Sequence, residues 1–316
     1  MRVITKIWRA FLPSAKKGIV NMKKFGKIMT AVMAGALMVG CFAGCGGNTD
    51  DTANTGDAAV SGDLLARIKA KGELVMATNA QFPPFESVGD SGAVEGVDVD
   101  IAQAIADKIG VKLTVKDGEF NAIISELTAG KSDIGAAGLT VTPEREKEVD
   151  FSDSYFTSIQ YFIVKEGSDI KTVEDLAGKR VGVQLGTTGD ILMGEANNGV
   201  DEDDGTHTKG VLEDNNADVV QMKSAIEATQ DLINGRLDAV VIDKLPAESL
   251  VAQNEGKGLT TFELTYADGS KTDEHYAIAV PKGEDSASLL QLINEVIAEL
   301  NANGKLQESI NKHSGV

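Results

Sequence analysis

Leu127-Thr128-Ala129-Gly130-Lys131-Ser132-Asp133 returns later in the chain as Leu232-Ile233-Asn234-Gly235-Arg236-Leu237-Asp238. Each copy reads as the end of a helix, a glycine at the C′ position and the start of a buried strand. A recurring helix-turn-strand unit predicts two α/β lobes. The strand of the first copy leads to Thr140 and Arg145, and that of the second, 238–242, leads to Asp243. Open α/β sheets bind ligands beyond the carboxyl ends of their strands, so the lobes are expected to face each other with a cation from one and an anion from the other. Asp243 is also a candidate N-cap for a helix over 246–252, and at this stage both readings stand.

The run after the first copy, Ala136-Ala137-Gly138-Leu139-Thr140-Val141-Thr142-Pro143-Glu144-Arg145, reads as a strand end, an exposed turn and the first turn of a helix. Thr142 suits the N-cap and Pro143 the first helical position. Arg145 breaks the local rule, because a cation in the first turn opposes the helix dipole. A guanidinium beside free backbone N–H groups suits a two-pronged grip on a carboxylate. Thr140 adds a hydroxyl donor, and the Gly138 carbonyl can accept from an ammonium. The bland alternative is a solvated charged helix, since Arg145 stands among Glu144, Glu146, Lys147 and Glu148.

The 316 residues are 42% hydrophobic and 5% aromatic, enough for a sizeable core in one large or two ordinary domains. Residues 1–44 hold eight basic residues and no acidic one, which leaves 22 basic against 48 acidic residues, a formal −26, for the remainder. Such a charge argues against nucleic acid and anionic lipid as partners. Both cysteines, Cys41 and Cys45, lie near the N-terminus, so the rest of the chain has neither a disulfide framework nor a thiolate metal site.

Met22-Lys23-Lys24-Phe25-Gly26-Lys27 is a basic n-region, and 28–40 is an apolar run too short to span a bilayer. Phe42-Ala43-Gly44-Cys45-Gly46-Gly47 then resembles a bacterial lipobox, in which the cysteine becomes the lipidated first residue. Cys41 offers a second box, and Met22 a second start. Residues 48–62 are small and polar, as a flexible tether would be.

Farther on, 63–71 reads as a helix and 73–78 as a buried strand running into Asn79-Ala80-Gln81-Phe82-Pro83-Pro84-Phe85-Glu86. The two prolines argue against regular structure, so Asn79 and Phe82 are expected on a rigid loop. Asp98 and Asp100 are read as caps of the next helix, with no histidine or third carboxylate close by. Phe120 opens a helix over 120–130. The run 159–165 is expected to cross between lobes and 275–281 to cross back. Gln184 ends a strand before the turn Leu185-Gly186-Thr187-Thr188-Gly189, an anion cradle without a P-loop lysine or a dinucleotide fingerprint. Residues 197–218 read as a polar, solvated insertion. His207, His275 and His313 are scattered, and neither a triad nor a zinc site is expected.

In combination, Thr78 to Glu86, Gly96-Val97-Asp98-Val99-Asp100, Gly138 to Arg145, Asp150-Phe151-Ser152, Val181 to Thr188 and Gly235-Arg236-Leu237-Asp238 resemble the polar amino-acid substrate-binding proteins of ABC importers, over about residues 63–314. The resemblance implies a periplasmic-binding-protein-like α/β fold of type II, two lobes joined by two crossing strands. Lobe 1 would be 63–160 with 275–316, lobe 2 would be 161–274, 1–44 the signal peptide and 45–62 the tether. It also implies that Arg145, Thr140 and the Thr187-Thr188 turn hold an amino-acid carboxylate, while Asp243 and the Gly138 carbonyl hold the ammonium. Phe82 and Phe120 would pack on the ligand, and Asn79 and Gln184 would face its side chain. Since both are uncharged, they argue against a strongly cationic side chain. The expected protein is a monomeric extracytoplasmic lipoprotein, anchored at Cys45, which delivers an amino acid to an ABC permease without cofactor, metal or catalysis. A dehydratase on the same fold would need a general acid, and the motif loops offer no unassigned carboxylate. A sensory amino-acid receptor is the third reading.

Overall fold

The computed structural model describes residues 62–202 and 204–314. The leader, Cys41, Cys45 and all but the last residue of the tether lie outside them. Helix α1 (Leu64–Lys71) leads into β1 (Glu73–Thr78), with β2 (Gln81–Phe82), β3 (Glu86–Val88) and β4 (Val94–Glu95) as a small three-stranded ribbon. Helix α2 (Val97–Ile109), β5 (Lys112–Asp117), α3 (Ile123–Thr128), β6 (Ile134–Gly135), α4 (Pro143–Glu148) and β7 (Val149–Phe151) follow. With β17 (Ala279–Pro281) they give a first sheet of order β5-β1-β6-β17-β7, in which β1, β5 and β6 are parallel and β17 is antiparallel to its neighbours.

A second sheet repeats the plan. Its strands are β9 (Gln160–Lys165), β10 (Arg180–Gln184), β13 (Asp218–Met222), β14 (Ala239–Asp243) and β15 (Leu259–Glu263), in the order β13-β10-β14-β9-β15. Helices α5 (Thr188–Asn198), α6 (Ala225–Ile233) and α7 (Lys244–Gln253) cover it, and the short pair β11 (Val200–Asp201) and β12 (His207–Thr208) lies between α5 and β13. Asp133 Oδ2 accepts the N–H of Val75 at 2.8 Å, and Asp238 Oδ2 accepts that of Arg180 at 2.8 Å, each 58 residues back along the chain. In both copies the repeat's aspartate therefore pins the start of the lobe's first parallel strand. Gly130 and Gly235 turn the chain at φ of 66° and 72°, a conformation that strains residues with a Cβ.

The lobes are joined through β8 (Phe156–Ser158) and β16 (Glu274–Tyr276), which pair antiparallel. The expected crossing at 159–165 is thus one element too late. Phe162, Ile163 and Val164 are fully buried inside the second sheet, and an apolar β-rich run is the same sequence signal whether it crosses or lies in a core. The prolines also fall otherwise than expected. They form the bend between β2 and β3, with a cis Pro83-Pro84 bond, and regular strands stand on either side. Helices α8 (Ala287–Ala302) and α9 (Lys305–Ser314) close the first lobe. Residues 197–218 are less solvated than their composition suggests, because Leu212 and Ala217 enter the second lobe's core.

Candidate functional site

The β6–α4 connection carries Arg145 inward. Thr142 is the N-cap, its hydroxyl accepting from the Arg145 N–H at 3.2 Å, and Pro143 takes the first turn. Unlike the charged residues around it, Arg145 is only 7% exposed, which rules out the solvated-helix reading. Its Nη1 donates to the Thr140 carbonyl at 2.6 Å and its Nη2 reaches across to the Gly186 carbonyl at 2.9 Å, while the guanidinium lies 5.5 Å from the centre of the Phe120 ring. Burial lowers its pKa to about 10, opposed by Glu274, Asp243 and Glu144.

Facing it is Asp243, at the carboxyl end of β14. It occupies the N-cap position of α7 but its side chain makes no capping bond, so of the two sequence readings the cap falls away. The carboxylate lies against the Tyr276 hydroxyl and the Gln160 amide without hydrogen bonds of ordinary geometry, and Oδ1 has no partner. Burial first, then the neighbouring Glu274, pushes its pKa up to about 8. Glu274, which sequence reasoning passed over, comes in on hinge strand β16 and is as buried as Asp243, at 3% exposed. Its Oε1 accepts from Gln160 Nε2 at 3.2 Å, an amide that also donates to Thr188 Oγ1 at 3.2 Å. Burial raises the Glu274 pKa, against the Thr140 and Thr188 hydroxyls, Gln160 and Arg145. The motif loops hold no such carboxylate, and this one arrives from outside them, on β16.

The turn after β10 is more engaged than expected. Thr187 caps α5, accepting from the Asp190 N–H, and donates its own hydroxyl to the Gln184 carbonyl at 2.8 Å, which leaves Thr188 as the hydroxyl facing the cleft. At the opposite end Gln184 Nε2 donates to Asn79 Oδ1 at 2.9 Å, and Asn79 Nδ2 donates to the Gly118 carbonyl at 2.7 Å. Gln184 Oε1 is buried without a partner. Phe82 joins Phe85, Phe156, Tyr155 and Tyr276 in an aromatic cluster beneath the hinge, with Phe85 and Tyr276 edge to face at 5.0 Å.

Gly138 sits over this cluster with φ of +54°, and a Cβ there would lie 2.6 Å from the Phe82 ring. Its N–H is held by Asp98 Oδ2 at 2.7 Å. Asp98 is thus no cap. Gly96 occupies that position, and Asp98 points into the lobe beside Glu86 and Tyr155. A third carboxylate is close after all, because β3 folds Glu86 back onto α2. Burial, then the Asp98 charge, holds Glu86 well above the usual carboxylate range, and burial raises Asp98 to about 6. Asp100 turns outward, accepting from Ser309 Oγ at 2.7 Å and meeting His313 Nε2 at 2.9 Å, so a histidine is near it as well.

Asn79, Phe82, Gly138, Thr140, Gln184, Thr187 and Asp243 stand on loops or strand ends, Phe120 opens a 3-10 turn, and Arg145 and Thr188 stand in the first turns of α4 and α5. Glu274, Gln160 and Tyr276 join them from the hinge and from β9. Gln160 carries one signal in the sequence, a polar residue in the otherwise apolar run 159–164, whereas Glu274 stands among Thr272, Asp273 and His275 and carries none.

The profile of the bacterial extracellular solute-binding proteins, family 3, matches residues 74–316. The arginine-binding extracellular protein ArtP of Bacillus subtilis is 34% identical over 239 residues, 75% of this chain and 84% of that one. The L-cystine-binding protein TcyJ of Escherichia coli K12 is 31% identical over 258 residues, 80% of this chain and 86% of that one. Among solved structures, an ancestral arginine-binding protein bound to arginine is 39% identical, with a TM-score of 0.66 over 77% of this chain and 98% of that one. A mutant ArgBP from T. maritima is 37% identical, with a TM-score of 0.68 over 80% of this chain and all of the other.

Proposed function

The chain belongs to the bacterial extracellular solute-binding proteins, family 3, and from that premise we propose that it captures an amino acid between its lobes and delivers it to an ABC importer. The observation that carries this reading is the meeting of a buried guanidinium, Arg145, and a buried carboxylate, Asp243, from the two strands of the repeat. A zwitterion needs one fixed cation and one fixed anion, each tolerable in a dry cleft only when paired. Arg145, Thr140 and the Thr187-Thr188 turn grip the α-carboxylate. Asp243 and the Gly138 carbonyl take the α-ammonium. Phe82 and Phe120 flank the ligand, and Asn79 and Gln184 meet its side chain. Lobe 1 is 63–160 with 275–316 and lobe 2 is 161–274. The ligand favours the closed arrangement by its differential affinity, and a permease reads the closed shape.

We further infer an extracytoplasmic monomer held to the membrane by a lipid on Cys45. No helix among the described residues is long and apolar enough to cross a membrane. The test of the function is a thermal-shift screen of the leaderless protein against the proteinogenic amino acids, cystine, short peptides and sugars. A shift with amino acids is the expected result, and a shift with sugars or peptides alone overturns the reading. Radiolabelled lipid incorporated into the full chain and lost in Cys45→Ala tests the anchor.

Glu274 and Asp243 favour a second reading, an enzyme on this fold, because buried carboxyl groups with raised pKa values are what a general acid requires. A turnover assay on cyclohexadienyl amino-acid precursors separates it from the first.

A further inference from the structure

The charges that meet in the cleft do not balance. One guanidinium faces two carboxylates, and Arg145, Asp243 and Glu274 are all more than nine-tenths buried. Arg145 directs two donors to the carbonyls of Thr140 and Gly186, and neither carboxylate lies within ion-pair distance of it. Gln160 pairs with Asp243 across β9 and β14 and donates to Glu274, so one amide stands between the two acids. Asp243 Oδ1 and Glu274 Oε2 are left without partners. A zwitterionic amino acid adds one positive and one negative charge and leaves the surplus anion where it was. In a dry cleft that surplus is costly unless something cationic answers it. At the far end, Gln184 Oε1 is a buried acceptor with no donor.

We propose that Glu274 is a specificity-determining residue, whose surplus charge selects amino acids with a cationic, N–H-bearing side chain over neutral ones of the same shape. This rests on the reading of the cleft as an amino-acid site. The cationic side chain completes the charge balance through the low-dielectric interior, and its N–H groups serve Gln184 Oε1. The uncharged lining at Asn79 and Gln184 therefore does not speak for a neutral ligand, because the deciding charge sits at the hinge. A neutral amino acid needs the acid pair to keep a proton instead. The titratable and charged groups around the pair are Arg145 and Glu144 on α4, Asp243 on β14, and Glu274 and Tyr276 on β16. Gln160, Thr140 and Thr188 are neutral. Burial, then the Glu274 charge, pushes Asp243 to about 8, and burial raises Glu274, so the pair gives up its proton as pH rises toward 8.

L-arginine and L-citrulline share length and planarity and differ in charge, which makes them the probes. Calorimetry on the leaderless protein at pH 8 should show arginine binding at least about tenfold tighter than citrulline, and Glu274→Gln should narrow that ratio several-fold. The wild-type ratio should also widen from pH 5 to pH 8, a readout that needs no variant to fold. Citrulline binding as tightly as arginine, a ratio unmoved in a folded Glu274→Gln protein, or a ratio independent of pH overturns the proposal. If neutral amino acids bind in the screen and arginine does not, the charge selection fails while the amino-acid site stands. If nothing in the screen binds, both fall.

Discussion

Asp98, in the first turn of α2, accepts the backbone N–H of Gly138 at 2.7 Å, although the two residues are 40 positions apart. The turn at Gly138 is thus held by a fully buried carboxylate. Asp98→Ala leaves a buried N–H without an acceptor, a cost of about 1–3 kcal/mol. Reduced stability in urea together with weakened amino-acid binding is expected, and Asp98→Asn, which keeps an acceptor, should recover part of both.

Acidification should stabilise this lobe. Glu86 and Asp98 have folded pKa values raised above their unfolded ones, so the folded chain holds more protons. Their contribution is fully present below the unfolded carboxylate range and is lost as pH rises through the folded values, about 6 for Asp98 and well above the ordinary carboxylate range for Glu86. Urea midpoints measured from pH 5 to 9 should fall with rising pH on this account. Glu86→Gln should flatten the slope, and an unchanged slope would show that the pair does not carry it.

Arg145→Lys keeps the charge and loses the planar fork that reaches the Thr140 and Gly186 carbonyls together. Two charged hydrogen bonds at about 1.5–3 kcal/mol each exceed what a lysine recovers. Calorimetry should show affinity reduced by at least about tenfold, and Arg145→Ala should bind no amino acid while keeping its far-UV circular dichroism.

Gly138→Ala demands a Cβ at φ of +54° and 2.6 Å from the Phe82 ring. The left-handed backbone alone costs roughly 1–2 kcal/mol for an L-residue, and the clash adds to it. A lower melting temperature is expected, with partial relief in the Phe82→Leu background. Absence of any relief would place the strain elsewhere.

Gln184 and Asn79 join the two sheets side chain to side chain at 2.9 Å. A double-mutant cycle with alanine, read on amino-acid affinity, should return a coupling of about 0.5–1.5 kcal/mol. Additive effects would mean that the bond does not contribute to binding.

The two-lobe plan was legible because the repeat at 127–133 and 232–238 is local and periodic, and Arg145 because a cation in a helix's first turn contradicts its surroundings. Hinge placement was not legible. Buried strand and crossing strand demand the same residues, and only pairing partners, such as Ser158 with Glu274, tell them apart. Asp98 misled for a related reason. Aspartate before an apolar helix is a good cap, and its true partners, Glu86 and Gly138, depend on how β3 and the β6–α4 turn fold back. Glu274 carries no local oddity beyond its charge, and its meaning arises from Gln160 and Asp243, which lie far from it in sequence.

The equal 58-residue interval between strand and pinning aspartate hides an inversion. In the first lobe the excursion, β2 to β4, comes before the helix, at the carboxyl end of β1, and supplies Phe82 to the aromatic cluster with Phe85 and Tyr276. In the second it comes after the helix, from 199 to 217, ahead of β13. Two halves of one blueprint have placed their spare chain at opposite ends of the unit, one after the first strand and the other after the first helix. Ahead of the buried Leu212 and Ala217, the second excursion is therefore where loop grafts, tags or fluorophores should least disturb the residues around Arg145 and Asp243.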